Sequence, residues 1–136
     1  MLNPFPQLLV YGFFAPTIVR VAVALVFAYL GWRTWRRARH LGGVPLPIIG
    51  AQSWLPYVAA LAEWALAAMF FVGWYTQIAA LLGLVGVLKY FIYWKWWRRA
   101  QFEYVPFSAT TVLLVGAICL SLLLSGAGAH AFDLPL

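Results

Sequence analysis

Charged residues are what this sequence has least of. They make up 9% of its 136 positions, against roughly 25% in an ordinary soluble domain, so a water-facing surface cannot be assembled from them. Acids are scarcer still, with three Asp and Glu against nine Lys and Arg. The chain has one cysteine, Cys119, which excludes an internal disulfide and a Cys-x-x-Cys redox site; in an apolar run, it reads as a small packing residue. Its histidines are His40, which beside Arg39 reads as solvated loop, and His130. Even with Asp133, His130 falls short of the roughly three or four ligands of a zinc site. No Gly-rich phosphate loop and no paired intramembrane histidines for haem occur. The first 15 residues carry no Lys or Arg, so the positive n-region of a cleaved signal peptide is missing and the first apolar segment is expected to stay in the mature chain.

What is present is apolar: 65% of the residues are hydrophobic. They fall into long runs of the length that crosses a bilayer, about 20 residues per helix. One domain, 1–136, is expected, with spans at about 16–38, 54–73, 77–99 and 107–125. Punctuation supports these bounds. Pro16 suits a first helical turn and Gly42 and Gly43 a helix stop; Ser53 is an expected N-cap, with Pro56 tolerated just inside. Gly73 closes the second span, and the short link from Gly73 to Thr76 makes spans two and three an antiparallel hairpin. The fourth span follows Pro106 and Ser108 and ends at Gly126 and Gly128. The expected fold is an all-α, integral membrane four-helix bundle.

The basic residues orient it. Seven of the nine lie at the ends of spans one and three: Arg33, Arg36, Arg37, Arg39, Lys95, Arg98 and Arg99. A pI near 9.9 would suit nucleic acid, but charges clustered behind apolar runs are membrane flanks. By the positive-inside rule those ends are cytoplasmic, which predicts an N-out, C-out topology. Trp32, Trp35, Trp94, Trp96 and Trp97 crowd the same ends as an interfacial belt would. This basic-aromatic cluster reads as topology and anchoring, with binding of anionic lipid headgroups as the sharper alternative. Residues 1–15 read as an interfacial piece on the outer face, and 41–52 as a connection along the inner one.

Three ionisable residues fall inside the spans, Arg20, Glu63 and Lys89, each costing about 2.5 kcal/mol or more if left unpaired near the bilayer centre. They form the candidate buried polar site; its catalytic role is unassigned and it holds no metal. Arg20, one turn inside the outer end, is placed to snorkel to water. Glu63 and Lys89, about 15 and 12 Å from the cytoplasmic ends at 1.5 Å per residue, are expected to meet across the hairpin of spans two and three. Small residues point to close approach in that hairpin: Ala59, Ala60, Ala62, Ala65, Ala67 and Ala68 on span two, with Ala79, Gly83 and Gly86 on span three. A dimer interface is the alternative use of that face.

This arrangement resembles the DoxX family of small bacterial membrane proteins. Arg20 near the start of span one and FAYLGW at its end are similar to that family's first helix. Glu63, then Gly73, Thr76 and AAL, resemble its second and third, and LLLSGAGAHAFD, with Gly126, Gly128 and Asp133, its ending. The chain departs from the pattern at Gln77, Ala127 and Ala129. The resemblance implies a multi-pass protein of the bacterial inner membrane, acting as a membrane anchor or quinone-facing subunit of an oxidoreductase assembly. Such a chain has no haem, flavin or metal of its own; quinone is the cofactor the resemblance admits, and a soluble or membrane redox partner the implied associate. The lipid bilayer is its surroundings, nucleic acid is no partner, and a homo-oligomer stays open. Two other readings compete: a small proton-coupled transporter using Glu63, and a purely structural or assembly protein.

Overall fold

The computed structural model describes residues 12, 14–41, 53–96 and 108–126. These form four α-helices and, among the described residues, no strand. They are α1 (Ala15–Leu41), α2 (Leu55–Val72), α3 (Thr76–Trp96) and α4 (Ala109–Ser125). The helix ends follow local chemistry. Pro56 lies in the first turn of α2, and Gly73 closes the helix in the left-handed region at φ 75°, its N–H bonded to the Met69 carbonyl, a conformation glycine adopts without a Cβ penalty. Ser108 caps α4 through its hydroxyl, which accepts from the Thr111 N–H at 3.4 Å. Ser53 does not cap α2: that place is taken by Trp54, with no side-chain cap bond. Gly42, Gly43, the two interfacial segments apart from Gly12, Phe14, Ala15 and Leu41, the basic ends Arg98 and Arg99, and the tail with Gly128, His130 and Asp133 lie outside the described residues.

Two of the helices, Ala15–His40 and Leu55–Val72, are long and apolar enough to cross a membrane, while Thr76–Ile92 and Ala109–Ser125 are shorter apolar stretches. Large apolar side chains face outward, Ile18, Leu61, Phe71, Val85, Leu114 and Leu124 among them.

The pairing of helices differs from the expected one. The closest neighbours are α1 with α2 and α3 with α4; the consecutive pair α2 and α3, like α1 and α4, touches far less. A short link makes neighbours antiparallel but does not press them together, and the close approaches fall elsewhere. On α1, a Cβ at Gly31 would overlap the Trp64 indole, 2.7 Å from its Nε1, and lie 3.1 Å from the Ala60 carbonyl oxygen. Because Gly31 lacks that atom, the indole comes close against α1, with its Nε1–H donating to the Ala28 carbonyl at 3.3 Å. On α3, Gly83 faces α4, where a Cβ would come 3.1 Å from Cys119 Sγ. Half of the α2 alanines named above, Ala62, Ala65 and Ala68, are exposed.

The middle of the bundle is filled by rings set over small residues. Phe27 and Phe70 stack with centroids 5.8 Å apart, and both reach toward Gly83, with Cζ atoms 3.4 and 3.5 Å from where its Cβ would be. Val23, Ala24, Ala79, Ala80, Val115 and Leu122 pack around them. Dense side-chain packing of this kind gains dispersion energy from many contacts at once.

Candidate functional site

Glu63 lies on α2, eight residues after Leu55, and the α1–α2 register brings Thr34 opposite it. The Thr34 hydroxyl donates to Glu63 Oε2 at 2.9 Å. From α3 the Tyr90 hydroxyl donates to Oε1, and the Lys89 ammonium stands 3.5 Å from the same oxygen. One carboxylate thus ties three helices, and both its oxygens have donors. The neighbours Lys89 and Tyr90 reach it together because the ammonium folds over its neighbour's ring, 4.6 Å from the centroid, a cation–π placement.

Burial is uneven across the pair. The Glu63 side chain is 6% exposed and that of Lys89 38%, so the acid sits inside and the ammonium at the lateral surface. No hydrogen bond from Lys89 occurs among the described residues; its link to Glu63 is one of charge. The site lies toward the basic ends of α1 and α3 and at the midpoint of the shorter α2. Glu63 is about 12 Å along α2 from Leu55 and Lys89 about 10 Å along α3 from Trp96, at 1.5 Å per residue, and Thr34 follows directly on Arg33. A wall of rings adjoins it on the same side: Trp35 meets Tyr57 edge-on at 5.1 Å and stacks on Trp64 at 5.5 Å.

The structure joins Glu63 with Lys89 and leaves Arg20 out. Arg20 precedes Thr34 by 14 residues of continuous helix, about 21 Å along the axis, so the candidate residues Arg20, Glu63 and Lys89 do not form one site. Nor does Arg20 snorkel: it is 2% exposed. It lies at the opposite end of the bundle, as does Thr76, also buried, since Thr34 and Tyr90, which both donate to Glu63, are each 14 residues along their helices from Arg20 and Thr76. Two site residues had escaped the sequence reading, Thr34 and Tyr90. Thr34 stands within a basic run and Tyr90 within an aromatic one, and neither position carries a cost that would mark it; the only available signal was that Tyr90 shares the Gly83–Gly86 face of α3.

Among the described residues no group of His, Cys, Asp and Glu could hold a metal ion. Chemically, the cluster can hold a negative charge in place with two hydroxyl donors and present a cation beside it. No family model, curated protein or solved structure matches the chain.

Proposed function

We propose that the chain is a DoxX-like four-helix protein of the bacterial inner membrane, inserted N-out and C-out, and that it serves an oxidoreductase assembly as a membrane anchor or quinone-facing subunit. The outward apolar side chains and the two membrane-length helices support its place in a bilayer. The arginines at the end of α1 support the orientation.

The engagement of Glu63 carries the choice of function. An acid that exchanges a proton for a substrate must be reachable and must be free to release its partners; this one is 6% exposed and takes donors from Thr34 and Tyr90 on both oxygens. That is the arrangement of a tie between helices. It favours an anchor over a proton-coupled carrier.

A quinone fits the residues present at one point. The half-exposed Lys89 ammonium, with no hydrogen bond among the described residues, is a suitable donor to a carbonyl arriving from the lipid side, with the Tyr90 ring beneath the ammonium steadying it. The quinone would accept the electrons delivered by a partner; this chain would supply the hydrogen bond and the position.

Affinity purification from native membranes in mild detergent tests the reading. A redox subunit recovered in stoichiometric amount, with quinone in the lipid extract and no bound haem, flavin or metal, is the expected result. Proton-linked uptake by the purified chain in vesicles, lost in Glu63→Gln, would overturn it in favour of a transporter. Recovery without any redox partner would point to an assembly protein.

A further inference from the structure

The outward face of α1 has an order along it that topology alone does not require. Ala22, Leu25, Tyr29, Trp32, Arg36 and Arg39 follow one another at alternating spacings of three and four, and all are exposed. At that spacing they occupy one stripe roughly 100° wide. Along it the chemistry passes from aliphatic to aromatic to cationic, and the steps are joined: the Arg36 guanidinium lies over the Trp32 ring, 5.1 Å from its centroid.

The dimensions are those of one lipid molecule in one leaflet. From Ala22 to Trp32 is about 15 Å at 1.5 Å per residue, half of a hydrocarbon core about 30 Å thick. Arg36 and Arg39 then stand within the next two turns, at headgroup height. The charges there are unanswered within the described chain. Glu63 is the one carboxylate among the described residues, and it is engaged by the hydroxyls of Thr34 and Tyr90 and by the charge of Lys89. No ion pair to Arg36 or Arg39 occurs among the described residues.

We infer that this stripe is a binding site for one anionic phospholipid, its acyl chain along Ala22, Leu25 and Tyr29 and its phosphate held by Arg36 and Arg39. A second copy of the chain is disfavoured as the occupant. A two-fold contact through this face would set Arg36 and Arg39 against the same residues of the partner, and like charges at such a seam repel. A phosphodiester supplies the missing charge instead, and guanidinium is the side chain best suited to it. Arg33 and Arg37 lie off the stripe, which separates a site from a diffuse attraction of the whole basic end.

Native mass spectrometry of the purified protein, released from neutral detergent with dioleoylphosphatidylglycerol or dioleoylphosphatidylcholine added, tests it. The wild type is expected to retain one phosphatidylglycerol in preference to phosphatidylcholine. Arg36→Gln with Arg39→Gln should weaken that binding about 30-fold at low salt, and Arg33→Gln with Arg37→Gln less than about threefold. Equal losses in the two double variants would mean non-specific attraction and would overturn the site. So would equal retention of both lipids, displacement by soluble glycerol phosphate, or a dimer mass that depends on Arg36. Should the double variant not fold, Arg39→Gln alone, in the last turn of α1, should show a loss of about fivefold.

Discussion

If Glu63 is a three-helix tie, its partners should contribute unequally, and the order follows from the geometry. The Tyr90 hydroxyl donates to the carboxylate in a buried position, so Tyr90→Phe removes a hydrogen bond to a charged group, about 1.5 to 3 kcal/mol. The Thr34 bond is partly buried, and Thr34→Val falls at the low end of that range, about 1.5 kcal/mol. Lys89 is 38% exposed at a separation of 3.5 Å, so its surroundings screen it, and Lys89→Met should cost about 0.5 to 1 kcal/mol. Glu63→Gln should be mild as well, about 1 kcal/mol, because the amide oxygen still accepts from Tyr90 and the Thr34 hydroxyl can turn to accept from the amide nitrogen. Glu63→Leu removes the acceptor of both hydroxyls at once and should cost about 3 kcal/mol or more.

Reversible unfolding in mixed micelles, followed by helical circular dichroism over a denaturing-detergent series, measures these losses, and double-mutant cycles separate the pairs. The coupling of Glu63→Leu with Tyr90→Phe should reach about 1.5 kcal/mol or more, and that of Glu63 with Lys89 should stay under about 1 kcal/mol. A Lys89 coupling larger than that of Tyr90 would refute the reasoning, because it would make the ion pair and not the hydroxyls the tie. Additive losses for Glu63 and Tyr90 would refute the contact itself.

The remaining expectations concern packing and sidedness. Gly31→Ala places a methyl against the Trp64 indole and 3.1 Å from the Ala60 carbonyl oxygen, so it should cost about 2 kcal/mol by overpacking; Gly31→Ala with Trp64→Leu should recover part of that loss in the same unfolding assay. Gly83→Ala should cost about 1 kcal/mol or more, since its Cβ would lie 3.1 Å from Cys119 Sγ, and adding Cys119→Ala should return stability by removing that sulfur. A cysteine at Gly128, in a Cys119→Ala background, should react with an impermeant thiol reagent in intact cells while one at Arg37 does not; the reverse pattern would invert the proposed orientation.

What could be read from the sequence follows from which features carry a cost. The two ends of α2 and of α4 lie within a few residues of where the punctuation put them, because Pro, Ser and Gly signals act locally; Gly73 ends α2 by a conformation that depends on no distant residue. Glu63 and Lys89 could be paired in advance because unpaired charge in an apolar helix demands a partner, and helical rise alone places the two at similar height. Thr34 and Tyr90 raise no such demand, since a threonine hydroxyl in an apolar helix can bond its own backbone and a tyrosine suits a membrane interface. They become visible only once the helix register is known. Arg20 shows the converse: its charge and its place one turn inside the end of α1 opposite the basic residues were legible, but neither tells that its side chain is buried at 2% exposure rather than turned to water.

The small residues carry the sharpest lesson. Ala79 and Gly83 were expected to let α2 and α3 approach closely, yet a glycine on a helix face has two uses: it admits another backbone, or it admits a large side chain. Sequence spacing is the same for both. What decides is the volume opposite, and here Gly83 looks onto Phe27 and Phe70 from across the bundle and onto Cys119 from α4. The rings of α1 and α2 fill the space that α3 vacates, so α2 and α3 stay apart while their side chains meet. That spacing suits the Glu63 tie. With the two backbones pressed together, the long Lys89 and Tyr90 side chains would have no room to reach a carboxylate on the adjacent helix; with the rings between them, both reach it and the lysine stays 38% exposed at the lateral surface.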